Sequence, residues 1–312
     1  MARIICGVDV SADTLDARIG RDGISQPFAR SSEGIAQLAR FCQCHQVGLV
    51  VMEATGGYER LPFAELWASG IPVAVVNPRS VRRFAEAMGA LEKTDTIDTS
   101  MIAWYAETKR IEPTPPASEQ QQRLTALVVR LRQLVELRTA QNNQRRLVEE
   151  PDALATFTAV LATVNQQIRC LEARIIELIE ADPLWLALDR AFREIKGVAD
   201  RTVARLMANL PEIGTLSGKA VSKLAGLAPI ARDSGKKTGK RPVRGGREPV
   251  RSILYMVADI VRRHDADFKA FYETLRADGK PPRVIRTALA RKLLVRLNAK
   301  ARDVRQALAQ PG

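Results

Sequence analysis

The order of hydrophobic patterns in the first 90 residues constrains the fold more than any other feature of this sequence. Three strand candidates come first, at residues 3–10, 14–20 and 26–30. Helical patterns at residues 31–45, 58–70 and 78–89 then alternate with buried strand candidates at residues 47–57 and 71–77. Strands followed by alternating β and α elements predict a mixed sheet with helices on its faces.

The middle of the chain predicts a long helical hairpin. Residues 111–120 contain three prolines and indicate a linker. Beyond them, apolar residues recur at intervals of three and four in two long runs separated near Pro151: Leu124, Val128, Leu131 and Val135, then Leu161, Val164, Ile168, Leu171, Ile175 and Leu178. This spacing predicts an antiparallel coiled-coil hairpin, which packs either on its own domain or on a second copy.

The last third of the chain has a mostly helical pattern. Residues 192–214 resemble a helix-hairpin-helix, in which a short turn presents backbone amides to a phosphate, although Ala199 stands where a second glycine is usual. We therefore predict three parts: residues 1–112, a catalytic α/β domain; residues 113–184, linker and hairpin; and residues 185–312, a basic C-terminal domain.

Charge is distributed very unevenly along the chain. The formal net charge is +13, and the 28 basic and 12 acidic side chains of residues 185–312 account for the whole excess. Such one-sided basicity is typical of a domain that binds a polyanion, because neutralised phosphates release their counterions. The C-terminal part is therefore predicted to bind nucleic acid.

Several classes of protein are not indicated. The N-terminus reaches Asp9 after a short apolar run, which is unlike a signal peptide, and no apolar run is long enough to cross a bilayer. The four cysteines, Cys6, Cys42, Cys44 and Cys170, form no recognisable disulfide or zinc spacing. We expect reduced thiols in a cytoplasmic, nucleoid-associated bacterial protein that has no contact with a membrane.

Four carboxylates suggest a metal-dependent reaction. Asp9 and Glu53 lie near the ends of predicted strands, and Asp95 and Asp98 lie three residues apart on a predicted helix. The two aspartates alone would suit an ordinary helix start. All four together follow the order in which ribonuclease H-like nucleases hold metal, and hard Mg²⁺ prefers carboxylate oxygens.

Three N-terminal motifs and one C-terminal stretch resemble a known family. They are GVDVS, EATGGY and KTDTIDT in that order, then GLAPIARDSGKKTGK with RGGREPVRSILYMVA. Over residues 3–275 the chain resembles the IS110 family of insertion-sequence transposases. The resemblance implies a RuvC-like domain that uses Mg²⁺ at Asp9, Glu53, Asp95 and Asp98. Thr99, where alanine is more common, and Ala199 are small departures.

The resemblance also implies a serine nucleophile and a guide RNA. The matching serine is Ser234, and Thr238 is the nearest rival hydroxyl. Ser234 would form a covalent link to DNA, in a site composed with the carboxylates between subunits of a dimer or tetramer. A structured non-coding bridge RNA would pair with donor and target DNA.

We predict that phosphates contact a set of mostly basic residues: Arg232, Lys236, Lys237, Lys240, Arg241, Arg244, Arg247, Lys196 and Gly197. Two other functions fit the same residues. A Holliday-junction-resolvase-like nuclease would use the four acids with water and would not need Ser234. A catalytically inert nucleic-acid-binding scaffold would need neither acids nor Mg²⁺.

Overall fold

The computed structural model describes residues 3–90, 95–231, 239 and 241–310, with only the backbone for residues 95–97. The chain divides into two compact units, Met1–Ala117 and Ser118–Gly312. In the described part of the chain, no helix is long and apolar enough to span a membrane. All four cysteines are free thiols.

The first unit is built on a mixed sheet. Its elements are β1 (Ile5–Val10), β2 (Thr14–Ile19), β3 (Ser25–Ala29), α1 (Ser32–Cys44), β4 (Leu49–Glu53), α2 (Arg60–Ala68), β5 (Val73–Val76), α3 (Pro78–Ala87) and α4 (Asp95–Lys109). The strand order is β3-β2-β1-β4-β5, with β1, β2 and β3 antiparallel and β4 and β5 parallel to β1. The predicted strands and helices of residues 3–90 are confirmed, and the five strands form the predicted mixed sheet.

Successive side chains of the central strands point to opposite sides of the sheet, and both of these sides are apolar. Cys6 and Val8 of β1 belong to a core cluster that includes side chains of α1 and α2. Ile5 of β1 and Val51 of β4 belong to a second cluster, which α3 and α4 cover. Because side chains alternate in a strand, residues of odd number in β1 and β4 lie on the α4 side.

The second unit is helical in its described part, apart from one isolated bridge. Its helices are α5 (Glu119–Arg145), α6 (Pro151–Glu180), α7 (Pro183–Arg193), α8 (Asp200–Asn209), α9 (Gly218–Leu224), α10 (Glu248–His264), α11 (Ala266–Ala277) and α12 (Pro282–Ala309). α10 and α12 pack against each other at the centre of its core, where Leu254, Val261, Leu293 and Leu297 are buried.

The long helices α5 and α6 pack against each other, and the hairpin shares one core with the C-terminal helices. Leu124 and Val128 of α5, and Val164 and Ile168 of α6, are buried members of that core. The structure therefore assigns α5 and α6 to the same compact unit as α7–α12. The predicted division into residues 1–112, 113–184 and 185–312 stays a prediction about which parts have separate functions. The coiled-coil packing of the hairpin also stays a prediction.

Candidate active site

Strand register brings Asp9 and Glu53 side by side. Val8 of β1 pairs with Met52 of the parallel strand β4, so Asp9 and Glu53 lie one step further along both strands. Both have odd numbers and therefore lie on the face that α4 covers. They lie at the carboxyl ends of parallel strands, where open α/β sheets bind their ligands.

A glycine lets α4 approach this face closely. A Cβ atom at Gly7 would lie 2.3 Å from the backbone oxygen of Thr99 and 2.9 Å from the backbone nitrogen of Ala103. A side chain at position 7 would therefore push α4 away from β1. Since Asp98 directly precedes Thr99, this contact holds the start of α4 beside the ends of β1 and β4.

Asp9, Glu53 and Asp98 line one open cavity of about 840 Å³. Of the four predicted acids, these are the three whose side chains are described; that of Asp95 lies outside the described residues. Asp9 Oδ1 accepts a hydrogen bond from the Val10 N–H at 3.0 Å, and the Thr55 hydroxyl donates to the Glu53 backbone oxygen at 3.3 Å.

The loop after Glu53 is fixed by a different carboxylate. Glu59 Oε2 accepts from the backbone N–H of Thr55 at 3.0 Å and from that of Gly57 at 2.8 Å. Gly56 and Gly57 both have positive φ, at 64° and 112°, which explains the glycine pair in the EATGGY motif. The motif therefore shapes one wall of the cavity through its backbone.

Three arginines from α3 line the same cavity, and the sequence reading did not single them out. They are Arg79, Arg82 and Arg83, and Arg82 also pairs with Glu86 at 3.4 Å. α3 is held at its start by Asn77, whose side chain accepts from the Arg79 N–H at 2.9 Å. A cavity lined by both cations and carboxylates suits a phosphodiester substrate. The arginines can pair with the negative phosphate oxygens, and the carboxylates can hold a divalent metal ion.

Asp16 is another acid that the sequence reading missed. It is the cross-strand partner of Asp9 in the β1–β2 pair, so both side chains lie on the same face. If the β1–β2 hairpin is assumed to turn at residues 12 and 13, Asp16 falls directly opposite Asp9, so the sequence could have indicated this pair. Asp16 does not line the cavity.

The donor set suits a hard divalent cation, because it consists of carboxylate oxygens. Within the described residues, no three His, Cys, Asp or Glu side chains lie close enough together to form a ready metal site. Asp9, Glu53 and Asp98 share the cavity without forming such a group, and the predicted fourth ligand, Asp95, is outside that search.

The serine-containing segment is described only at its two ends. Ser234 lies outside the described residues, as do Arg232, Lys236, Lys237, Thr238 and Lys240. Pro229 and Val243 form an antiparallel bridge, and the Ile230 N–H donates to the Pro242 oxygen at 3.1 Å. The ends of the segment are therefore held next to each other.

Glycines anchor that bridge to the helical core. A Cβ atom at Gly226 would lie 2.0 Å from the Gly245 oxygen, and one at Gly246 would lie 2.2 Å from the Gly226 nitrogen. Arg251 of α10 also donates to the Gly245 oxygen. The RGGRE stretch thus makes a close backbone contact with Gly226, and this contact leaves no room for a side chain at Gly226 or Gly246.

The predicted phosphate-binding residues that are described fall into different environments. Lys196 and Arg244 are exposed, and Gly197 adopts a φ of 100° in the turn between α7 and α8. A Cβ atom at Gly197 would lie 3.1 Å from Ile260 Cγ2, so this glycine packs against α10. Arg241 lines a separate groove in the second unit.

Arg247 has a structural contact that the sequence did not indicate. Its guanidinium donates to both carboxylate oxygens of Glu212 at 2.6 Å, and to the backbone oxygen of Asn209 at 2.9 Å. Partial burial acts to raise the pKa of Glu212, but the hydrogen bonds from Arg247, a backbone hydrogen bond and the charge of Arg247 together outweigh it, so this pKa lies below its usual value. We leave Arg247 out of the phosphate-binding surface.

Comparison with known proteins gives the class and the family. Residues 6–148 match DEDD_Tnp_IS110, a transposase family, and residues 189–273 match the transposase IS116/IS110/IS902 family. A pilin gene-inverting protein of Moraxella lacunata is 28% identical over 94% of this chain and 94% of its own length. An uncharacterized 43.6 kDa protein of insertion element IS110 from Streptomyces coelicolor is 31% identical over 47% of this chain and 36% of its own length.

The structure of Thermus thermophilus RuvC is 13% identical and covers 36% of this chain and 99% of its own, with a TM-score of 0.26, too low to define the fold. The transposase matches show that the protein is an enzyme of the DNA transposase and recombinase class. Both matches fall in one family, and the chain belongs to the IS110 family of transposases.

Proposed function

We propose that this transposase cleaves and exchanges DNA strands through a covalent link to Ser234, with help from the carboxylate cavity. The observation that carries the proposal is the cavity itself, where the predicted ligands Asp9, Glu53 and Asp98 lie with Glu86 and three arginines around a space of about 840 Å³. Asp9, Glu53 and Asp98, together with Asp95, would hold Mg²⁺. The ion would polarise the scissile phosphate and neutralise its developing charge.

The chain's own side chains have distinct parts in this scheme. The arginines of α3 bind the non-bridging phosphate oxygens and orient the phosphorus for attack. Ser234 Oγ loses its proton and forms a bond to phosphorus, while the bond from phosphorus to one sugar oxygen breaks and that oxygen takes up a proton. The phosphoserine keeps the number of phosphodiester bonds unchanged until a sugar hydroxyl of another DNA end displaces serine.

The partners follow from the family resemblance. Donor and target DNA are the substrates, and a structured non-coding RNA guides their choice by base pairing, in a dimer or tetramer in the cytoplasm. The net basic charge of residues 185–312 supports binding to nucleic acid backbones. The matches to transposase families favour an active enzyme over the inert scaffold.

A resolvase-like nuclease remains the second candidate. The described residues that line the carboxylate cavity all belong to the first unit, and a metal-assisted nuclease needs only such carboxylates and a water molecule. Water would then replace serine as the nucleophile, and no protein would remain attached to the DNA.

The test combines the protein, Mg²⁺, RNA from the flank of its element, and labelled donor and target DNA. A denaturing gel should show a protein-linked DNA band that is lost in Ser234→Ala and in Asp9→Ala. Thr238→Ala and Asp22→Asn, an exposed acid outside the cavity, should keep the band. Cleavage without an adduct, unchanged by Ser234→Ala, would establish the resolvase-like nuclease instead.

A further inference from the structure

A second open cavity of about 960 Å³ lies in the C-terminal unit, beside the bridge that closes the serine-containing segment. α11, α12 and the chain on both sides of that segment form its walls. The lining residues that matter here are Pro229, Arg241, Val243, Phe271, Val284 and Val295, with Arg283, Arg291 and Lys292. We call this cavity the α12 groove.

The walls of the α12 groove are largely apolar and accessible. Val284 and Val295 of α12 are 51% and 39% exposed, and Val243 and Phe271 face the same space. Exposed apolar side chains that gather in one concave site indicate a ligand with apolar surface. Phe271 adds an aromatic ring, and Lys292 Nζ lies 4.8 Å from its centroid.

The charge of the groove has a single sign. Four cationic side chains line it, Arg241, Arg283, Arg291 and Lys292, and no Asp or Glu is among its described lining residues. Lys292 Nζ donates to the Asp267 backbone oxygen at 3.0 Å. Arg283 and Arg291 have no ion-pair partner within the described part of the chain. The first turn of α12, from Pro282, adds the positive end of a helix dipole.

We infer that the α12 groove binds one unpaired DNA strand, with a base against the apolar wall and the flanking phosphates on Arg283 and Arg291. A polyanion with exposed apolar faces matches both properties of the groove, and single-stranded nucleic acid has both. In a duplex the bases are stacked inside, so a duplex would leave Val284, Val295 and Phe271 without a partner.

The position of the groove suggests a role for the bound DNA strand in strand exchange. Pro229 and Val243 line the groove, and they pair at the base of the segment that contains Ser234. A DNA strand that leaves its duplex for exchange would be held next to that base. This reading rests on the proposed recombinase function for its biological purpose, but binding to the groove does not depend on cleavage.

The test measures binding by the full-length Ser234→Ala protein in EDTA, so that chemistry does not contribute. Fluorescence anisotropy would compare a short single-stranded DNA, its duplex and the same sequence as RNA. Replacing both Arg283 and Arg291 by alanine should weaken single-strand binding at least several-fold and reduce the salt slope by about 0.7 for each lost contact. Arg302→Ala, an exposed α12 cation outside the groove, is the matched control.

A second pair of variants separates base contact from phosphate contact. Val284→Ser and Val295→Ser should weaken binding of the single strand and leave duplex binding unchanged, and circular dichroism would verify folding. Equal losses for duplex and single strand in the arginine variants, with no effect of the valine variants, would overturn the inference. Selective binding of RNA over DNA would also overturn it. Absence of a protein–DNA adduct with the wild-type protein in the cleavage assay would contradict the proposed function and leave the inference about the groove unaffected.

Discussion

The hydrogen atom that Gly7 carries in place of a side chain sets how closely α4 approaches β1. Any Cβ atom there would meet the α4 backbone at 2.3 Å, and a helix backbone cannot turn aside as a flexible side chain can. The GVDVS motif thus contributes two things, the carboxylate of Asp9 and the close packing that brings Asp98 to it.

We therefore expect Gly7→Ala to displace α4 and to impair cleavage. Overpacking of this kind costs about 1–3 kcal/mol in unfolding free energy. Chemical denaturation followed by circular dichroism would measure the loss, and the cleavage assay would measure activity. Gly218→Ala is the control, because a Cβ atom there lies at an ordinary 3.5 Å from Val295. Wild-type activity in Gly7→Ala would show that this close contact is unnecessary.

The lowered pKa of Glu212 predicts how the free energy of unfolding depends on pH. Partial burial raises its pKa, but the hydrogen bonds and charge of Arg247 and a backbone hydrogen bond together lower it further, so the pKa is lowered in the folded protein. The stabilisation is therefore fully present above the unfolded pKa of about 4.3, and it is lost as pH falls through the lower folded pKa.

Between neutral pH and about pH 3, below the usual pKa of a glutamate, the wild type should lose more unfolding free energy than Glu212→Gln. Urea denaturation at a series of pH values would measure the difference between the two proteins. Glu273→Gln on α11, a glutamate for which the structure shows no such arginine pair among its described contacts, serves as the control. Parallel pH profiles for the wild type and Glu212→Gln would contradict the assignment.

Single residues show which parts of the site the sequence could reveal. Asp9 and Glu53 stood out because they are acids near the ends of apolar strand patterns, and strand alternation then predicts a shared face. Asp98 stood out because it lies three residues from Asp95 on a predicted helix. Arg79, Arg82 and Arg83 did not, because an arginine-rich helix start is equally typical of a solvated surface. The bidentate Arg247–Glu212 pair joins residues 35 positions apart, and no local pattern specifies such a contact.

At the scale of elements, the hairpin of α5 and α6 has apolar side chains on both sides. One side is buried in the second unit, while Leu137 of α5 and Val160 of α6 are 42% and 43% exposed. Both lie in the half of the hairpin that is nearer the connection between the helices. Their exposure fits the proposal that the hairpin contributes to an oligomer.

The double substitution Leu137→Gln and Val160→Gln should shift the oligomer towards monomer without a loss of helix content. Light scattering after size-exclusion chromatography would measure the mass, and circular dichroism would measure the helix content. Met256→Gln on α10, a 56% exposed position outside the hairpin, is the matched control. A monomeric wild type at micromolar concentration would contradict the proposed oligomer.

Element boundaries followed well from the sequence where chemistry marks them. Ser31 accepts a hydrogen bond at the start of α1, and Pro78 and Pro151 lie at the first positions of α3 and α6. The sharing of one core by the hairpin and the C-terminal helices did not follow, since periodicity shows which face of a helix is apolar but not what covers it.

At the scale of the whole molecule, the two units have different charge. The excess of basic residues lies entirely in residues 185–312, and the proposed metal ligands lie entirely in residues 1–117. The family resemblance implies that carboxylates of one copy act with the serine of another, so two defective proteins should complement each other.

A mixture of Asp9→Asn and Ser234→Ala proteins should therefore restore part of the cleavage and adduct formation that each lacks alone. A mixed dimer would contain one site with both functional groups and one site with neither. The denaturing gel with labelled DNA would measure the adduct, and the double variant mixed with either single variant is the control. No recovery in the mixture would indicate that both groups act from the same copy.

The bridge between Pro229 and Val243 has a consequence for how such proteins diversify. Because that pair and the glycines behind it hold the two ends of residues 230–242 together, we expect the helices to keep their packing when this span is replaced. We therefore expect that this segment can be exchanged between related proteins while the helices that support it stay the same. Chimeras that swap it between family members at these two residues should fold, and they would allow the chemistry of the serine segment to be re-engineered separately from its support.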